Sequence, residues 1–572
     1  MNLKHKHTPG ESGVALIVAT TSMVFLIPMV GLAIDAGFLY SAKARLQAAV
    51  DGSSLAAARA LNLGATLQSQ QTSAAQNAVN WFYANFPSGA WATTGTVMST
   101  SGATNTAAGF SSPSVSIFPD TTNPQLDHVN VTATTNVPTW FMKWFGYSTI
   151  KITAIGNATR RAVVVMMVLD RSHSMCMVGG SLIHGNNPCT KSDTTTPCYQ
   201  MIAAAKQFTG QFAQGRDYVG LITFAENAYM TQIPSTTFQT TLGYSNSSGS
   251  GTGSASGSLD NIVCNGGTGT AQALSLAYQA LYQTGLPGAL NIIMLETDGL
   301  PNALTMNFYD SVNNVAGLNP GSGCLDLNNK KIGGGGFTIA AKIPIWTSGL
   351  ALNAAPFNTT SGPYSNVPAG MIGSVPSADP SGANNFFIAM DYFTNSTANN
   401  YNTNTYITTS LPSPYAPGCS FPDTGTSPTD IKWFPATDVY GNSANPSNSY
   451  KSVTMDAQGH ISPNSWTNYH NAVLNATDNA AYVTRANPTI PAYVFAIGLG
   501  GNSGTGPPDP ILMQRMANDP SEDQFNASPA YPACPACATA GQFTGKFVYA
   551  PTSAELNSAF LVISSQILRL NQ

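Results

Sequence analysis

The chain has 572 residues, enough for two or three domains, and only 8% of them are charged, far below the ~25% of ordinary globular proteins. The formal net charge is −4 and no run of Lys and Arg stands out, which excludes a nucleic-acid binder of the usual basic kind. Ser, Thr, Asn and Gly carry the polarity instead, a composition that supports an extracytoplasmic location, where the even count of eight cysteines suggests disulfides.

In chain order, the first element is an apolar run from Ser12 to Ile34 that contains no Lys, Arg, Asp or Glu. Roughly 23 helical residues span a ~30 Å hydrocarbon core. Lys4 and Lys6 precede the run and Lys43 and Arg45 follow it, a modest bias that favours a cytoplasmic N-terminus and an extracytoplasmic bulk. Ala33 and Ala36 would suit a cleaved signal peptide, but the run exceeds the ~7–15 residues of a signal core. Processing after Gly10 is also conceivable in a prepilin, yet Ala15 stands where the usual acidic residue would be. An uncleaved anchor is therefore expected. Strong helix formers continue from Ser41 to Leu61, with Gly64 as a stop and with Leu46, Val50 and Leu55 as an expected apolar stripe weakened by Gly52.

Residues 63–160 read as a small α+β module. Gln70 to Asn85 is expected to be helical and Gly95 to Thr106 a loop. Ser114 to Phe118, His128 to Thr134 and Lys151 to Thr159 have the look of strands, the first two by period-two alternation.

From residue 161 onward strands and helices alternate, which predicts a doubly wound, mostly parallel α/β sheet. Ala162 to Leu169 and Asn291 to Leu295 are buried strands, and further strands are expected over Tyr218 to Phe224, Ala492 to Ile497 and Lys546 to Tyr549. Helices are expected over Cys198 to Gln214, Ala271 to Tyr282, Asn464 to Arg485 and Pro510 to Met516. The last helix, Ser553 to Leu568, carries a stripe of Leu556, Phe560, Ile563 and Ile567.

Three oxygen-rich segments fall at the loop positions of this pattern: Asp170-Arg171-Ser172-His173-Ser174, Gly266-Gly267-Thr268-Gly269-Thr270 and Thr297-Asp298-Gly299. Loops after parallel strands meet at the carboxyl edge of the sheet, where such folds bind ligands. Two carboxylates and three hydroxyls there suit a hard divalent cation. The order and neighbours of these segments resemble the von Willebrand factor type A domain and its metal-ion-dependent adhesion site. The resemblance implies that Ser172, Ser174 and Thr268 bind the metal directly and that Asp170 and Asp298 act mostly through coordinated water. It also implies magnesium first, calcium or manganese as alternatives, and an acidic side chain of a partner protein completing the coordination. Glu296 either adds charge near the metal or is a strand-end carboxylate bonded to backbone.

Near the N-terminus, Gly10-Glu11-Ser12-Gly13-Val14-Ala15, Gly31-Leu32-Ala33-Ile34-Asp35 and Leu46-Gln47-Ala48-Ala49-Val50-Asp51 resemble the TadE/TadG-like proteins of tight-adherence (Flp) pilus systems. TadG-like members join this anchor to a type A domain, the order present here. Three regions are thus expected: an anchor and long helix over 1–62, the α+β module over 63–160, and a type A domain over 161–572 with an insertion at about 302–463. The insertion is rich in Gly, Ser, Asn, Thr and Pro yet carries Trp346, Phe386, Phe387, Tyr392, Trp433 and Phe434, so it reads either as a recognition surface or as a variable loop. Tyr244 to Gly257 reads as a Gly/Ser linker. Cys176, Cys189, Cys198 and Cys264 crowd around the first two metal segments and invite a bridge there, although eight cysteines allow 105 connectivities. Cys534-Pro535-Ala536-Cys537 suits a redox pair, half a zinc site or a tight disulfide, and the disulfide is expected because no thioredoxin-like context and no second CxxC accompany it. No Walker loop, nucleophile elbow, dinucleotide fingerprint or HExxH is present, so no catalysis, small-molecule substrate or nucleic acid is expected. The resulting expectation is a single-pass protein of the bacterial inner membrane, a pilus-system binder or, alternatively, a periplasmic scaffold in which metal only stabilises.

Overall fold

The computed structural model describes residues 11–62, 67–99, 116–119, 122, 125–183, 188–225, 228–244, 258–306, 309–310, 371–374, 387–391, 420–421, 431–433, 436–438, 440–457, 459–461, 466–500, 508–523, 525 and 531–571. They fall into two compact units that divide between Arg161 and Ala162.

In the first unit, α1 (Glu11–Ala60) is one continuous helix of 50 residues that contains Pro28 and passes through Gly52 unbroken. It is long and apolar enough to cross a membrane. Its apolar half is exposed all round, and burial begins at Gly31 and Asp35. From there Ala42, Leu46, Ala49, Val50, Ser53 and Ala57 face the module at intervals of three and four residues. Leu55 is exposed, contrary to the expected stripe, because five residues past Val50 lies well off the buried face.

Helix α2 (Leu67–Asn85) packs on α1 with Ala74, Ala78 and Phe82. Four antiparallel strands complete the module: β1 (Thr94–Ser99), β2 (Ser116–Pro119), β3 (Leu126–Pro138) and β4 (Thr149–Arg161). β3 and β4 pair over 13 residues, from Leu126 opposite Arg161 to Pro138 opposite Thr149, while β1 and β2 each pair with β3. Val129, Val131, Ala133, Thr135 and Val137 bury alternate positions of β3 against the helices. β1 occupies part of the stretch expected to be a loop. Its Gly, Thr and Ser give a weak strand signal, and pairing with β3 decides the outcome. Gly156 of β4 lets the sheet meet α1 backbone to backbone, since a Cβ there would lie 2.7 Å from the Val50 carbonyl oxygen.

The second unit is built on a six-stranded sheet. Its strands are β5 (Val163–Asp170), β6 (Tyr218–Phe224), β7 (Ala228–Ser235), β8 (Leu290–Thr297), β9 (Tyr493–Leu499) and β10 (Phe547–Ala550), in the order β7-β6-β5-β8-β9-β10. All neighbours are parallel except β7, which folds back antiparallel on β6. β5 and β8 are buried at every position, as the middle of a sheet covered on both faces must be. Val163, Val165, Met167 and Leu169 face α3 (Pro197–Thr209) and the closing α7 (Leu556–Leu570). Val164, Met166 and Val168 face α4 (Thr270–Thr284), α5 (Trp466–Ala486) and α6 (Pro510–Ala517). The doubly wound architecture expected from the sequence is the one observed.

The helix starts carry ordinary caps. Thr196 accepts from Tyr199 N at 3.2 Å with Pro197 in the first turn of α3, and Asp509 accepts from Ile511 N and Leu512 N ahead of α6. At one margin of the sheet, the outward N–H groups of β10 are taken by side chains: Phe547 N donates to Asp519 at 2.9 Å and Tyr549 N to Asp523 at 3.1 Å. At the other margin β7 carries Pro234, which has no N–H. Of the expected insertion, Ala303–Met306 and Met371–Ser374 pair as strands, and Tyr440 and Ala444 are buried against the sheet domain. Trp346, Phe386, Tyr392, Phe434 and nearly all of the Tyr244 to Gly257 linker lie outside the described residues.

Candidate metal centre

Two adjacent parallel strands, β5 and β8, end side by side, with Glu296 opposite Leu169 in register. Their last residues, Asp170 and Thr297, therefore open into neighbouring loops at the carboxyl edge. The third loop, residues 265–269, is tied to the first by two backbone bonds, His173 N to Gly266 O at 2.8 Å and Asn265 N to Arg171 O at 2.7 Å. Gly266 has φ of 101°, a conformation open mainly to glycine, and it presents the carbonyl that receives His173.

The five expected residues gather at this edge. Ser172 Oγ lies 2.7 Å from Ser174 Oγ, and Ser174 Oγ donates to Asp298 Oδ1 at 2.6 Å. Ser172 N donates to Asp170 Oδ1 at 2.7 Å, so the first carboxylate fixes the turn that carries both serines. Thr268 joins them: a Cβ placed on Gly299 would sit 3.7 Å from both Ser174 Oγ and Thr268 Oγ1. Gly299 thus lies against both hydroxyls, within ordinary van der Waals reach. All five side chains are buried or nearly so.

Two supporting residues carry no metal-ligand signal in the sequence. Thr297 Oγ1 donates to Asp170 Oδ2 at 2.5 Å, which leaves Asp170 fixed through both oxygens. Asn302 accepts from Thr268 N at 2.7 Å and returns its own N–H to Thr268 O at 2.9 Å, clamping the hydroxyl loop. Thr297 adjoins Asp298 and could have been found as a strand-end hydroxyl. Asn302 is one of many loop asparagines, and nothing local marks it.

The electrostatics are those of crowded anions. Burial raises the Asp170 carboxyl to about 6 against the opposing bonds from Thr297 and Ser172 and the charge of Arg171. Glu296, fully buried, is raised well above the usual range, first by burial and then by Asp170 and Asp298. The nearby Asp170 backbone acts in the opposite sense, but neither buried carboxylate oxygen of Glu296 makes a hydrogen bond of good geometry, so the backbone-bonded strand-end role expected of it is not observed. Its other expected role, added charge beside the site, requires that a cation or protons first neutralise the two aspartates.

The donor set fits a hard divalent cation. It consists of hydroxyl and carboxylate oxygens, and adjacent ligands of an octahedral magnesium at ~2.0–2.1 Å are separated by about 2.9 Å, close to the 2.7 Å between Ser172 Oγ and Ser174 Oγ. Cross-links hold two of the loops. Cys176 bonds to Cys189, and Cys198 at the start of α3 bonds to Cys264, four residues before Thr268. Cys189 and Cys264 also pair across a two-residue ladder, so the bridges share one scaffold. Cys534 and Cys537 form the expected tight disulfide.

Residues 165–300 match the von Willebrand factor type A domain family, and residues 13–60 match the Flp pilus-assembly TadE/G-like family. The second unit contains a von Willebrand factor type A domain, and α1 is a TadE/G-like segment. The two matches support a pilus-associated, adhesion-type protein, and the N-terminal helix is compatible with a membrane anchor. No curated protein matches the chain.

Among solved structures, the PilB minor pilin from Streptococcus sanguinis is 13% identical with 80% of this chain and 78% of that one covered, at a TM-score of 0.30. The von Willebrand factor domain of the type V pili tip protein Mfa5 from Porphyromonas gingivalis is 14% identical, with 73% and 98% covered, at a TM-score of 0.30. The pilus adhesin SpaC from Lactobacillus rhamnosus GG is 13% identical, with 81% and 37% covered, again at 0.30. Scores this low carry no argument about the whole chain.

Proposed function

We propose that this protein is a membrane-anchored, extracytoplasmic binder of a tight-adherence pilus or secretion system, whose type A domain holds a divalent cation and captures an acidic group on a partner protein. The observation that carries the reading is the contact of Ser172 Oγ, Ser174 Oγ and Asp298 Oδ1 within 2.6–2.7 Å steps at the sheet edge, with Thr268 beside them. Ser172, Ser174 and Thr268 would hold the ion directly, and Asp170 and Asp298 would hold it through water. A bound ion would supply a Lewis-acidic point of attachment for a carboxylate oxygen from outside.

The chain's own residues prepare this. Three of the donors are neutral hydroxyls, so they leave positive charge uncancelled. Asp170 sets the serine turn and is itself held by Thr297. Magnesium fits best by ligand hardness and spacing, and calcium or manganese are the other ions to try. The anchor would sit in the bacterial inner membrane with a cytoplasmic N-terminus and the bulk in the periplasm or at the cell surface.

Asp170→Ala tests the binding role. The expected result is loss of adherence at normal protein level with normal pili. Partner binding that survives both chelation and Asp170→Ala would overturn the reading and leave a periplasmic scaffold stabilised by metal.

A further inference from the structure

The hairpin tip between β3 and β4, residues 139–148, is bolted to α1 at the turn where that helix changes character. Residues 14–30 of α1 are exposed apart from the partly covered Pro28, and Gly31 is the first buried position. What covers it is Phe141: a Cβ on Gly31 would lie 2.3 Å from the Phe141 ring. One turn further, the Asp35 carboxylate accepts from the backbone N–H groups of Trp140, Phe141 and Met142 at 2.9, 2.9 and 2.7 Å. These bonds cap the short helical turn Met142–Phe145 that forms the tip.

The same turn ends the charge-free stretch. Ser12 to Ile34 is about 34 Å long at 1.5 Å per residue, against ~30 Å of hydrocarbon. The tip therefore lies level with one boundary of the apolar layer. Its outer face is aromatic. Trp144 is 83% exposed, Phe145 62%, Tyr147 60% and Trp140 43%, with Lys143 among them. Water is a poor neighbour for such a cluster, whereas Trp and Tyr collect where headgroups meet acyl chains and a Lys there reaches phosphate.

We propose that the 139–148 tip is a second membrane contact, with Trp144, Phe145 and Tyr147 seated in the headgroup layer of the leaflet from which α1 emerges and Lys143 facing its phosphates. The proposal rests on the reading of α1 as a membrane anchor. Asp35 is then a positioning residue that couples helix and tip, and two attachment points instead of one fix the module's tilt and rotation at the bilayer.

The test uses the full chain in vesicles of phosphatidylcholine and phosphatidylglycerol, with and without lipids brominated high on the acyl chains. Trp144→Phe removes one of the seven tryptophans at an exposed position and leaves the fold intact. The expected result is a clear loss of lipid-quenchable emission in Trp144→Phe and a further loss in Trp140→Phe/Trp144→Phe, with no loss of iodide-quenchable emission. An unchanged lipid-quenched amplitude, with the loss appearing in the iodide-quenched part, overturns the proposal. Alkaline carbonate extraction of the same vesicles separates the two failures. Release of the chain brings down the anchor reading and this proposal together, while retention without quenching at Trp144 brings down this proposal alone.

Discussion

Ser174→Ala is the substitution that bears most directly on the metal centre. Ser174 Oγ touches both Ser172 Oγ and Asp298 Oδ1, so its removal takes away one donor and frees a buried carboxylate from one of its bonds. In the wild type, an ion at a hundredfold excess over Kd stabilises the native state by about 2.7 kcal/mol. The second unit spans Ala162–Asn571, 410 residues. At ~2.1 cal/mol/K per residue its unfolding entropy is about 0.9 kcal/mol/K, so the ion should raise Tm by about 3 °C. Without ion, the variant should melt about 1–3 °C below the wild type, from ~1–3 kcal/mol of lost hydrogen bonding to a buried charge. It should gain little or nothing from magnesium, calcium or manganese. The assay is thermal unfolding of the full chain in mild detergent, with each ion titrated after chelation. An equal metal-induced shift in Ser174→Ala and wild type would refute the assignment of Ser174 as a ligand.

Three further outcomes are expected. The double variant Cys198→Ser/Cys264→Ser opens a loop of 66 residues and should cost about 4 kcal/mol by chain entropy, read as a fall in Tm; no fall would mean that the bridge does not constrain the unfolded chain. Gly156→Ala drives a methyl into the Val50 backbone and should destabilise the first unit by about 1–3 kcal/mol, and a denaturant midpoint equal to wild type would contradict the close approach. Asp438, buried beside Asn442 and held up to about 7 by that burial, binds its proton more tightly folded than unfolded. Its contribution is therefore fully present below the ordinary pKa of 3.8 and is lost as pH rises toward 7. Asp438→Asn should flatten the pH dependence of Tm between about pH 4 and 7 relative to wild type, and parallel curves would exclude this residue as the source.

The core of the type A domain was legible because its central strands are buried on both faces, which writes them as unbroken apolar runs: Val163 to Leu169 and Ile292 to Leu295. The placement of the three oxygen-rich segments at the sheet edge was legible for a related reason, since each follows such a run or precedes a strongly helical one. Elements whose identity depends on a partner were not. β1 is a strand because β3 offers it a ladder, and β7, which sequence reasoning did not assign, exists because β6 has a free side. Leu55 misled because apolar type was read without its exact angle around the helix. The disulfide partners needed the fold, which alone brings Cys198 to 6.3 Å from Cys264 between Cα atoms. The roles of Thr297 and Asn302 are geometric and belong to the assembled loops.

The two margins of the large sheet limit how this domain can join others. A strand arriving beside β10 would find the N–H groups of Phe547 and Tyr549 already given to Asp519 and Asp523, and would meet those carboxylates first. Beside β7 it would meet Pro234, which has no hydrogen to offer. Extension of the sheet through these two N–H groups of β10 is thereby blocked. That turns away one common route to unwanted polymer at this margin.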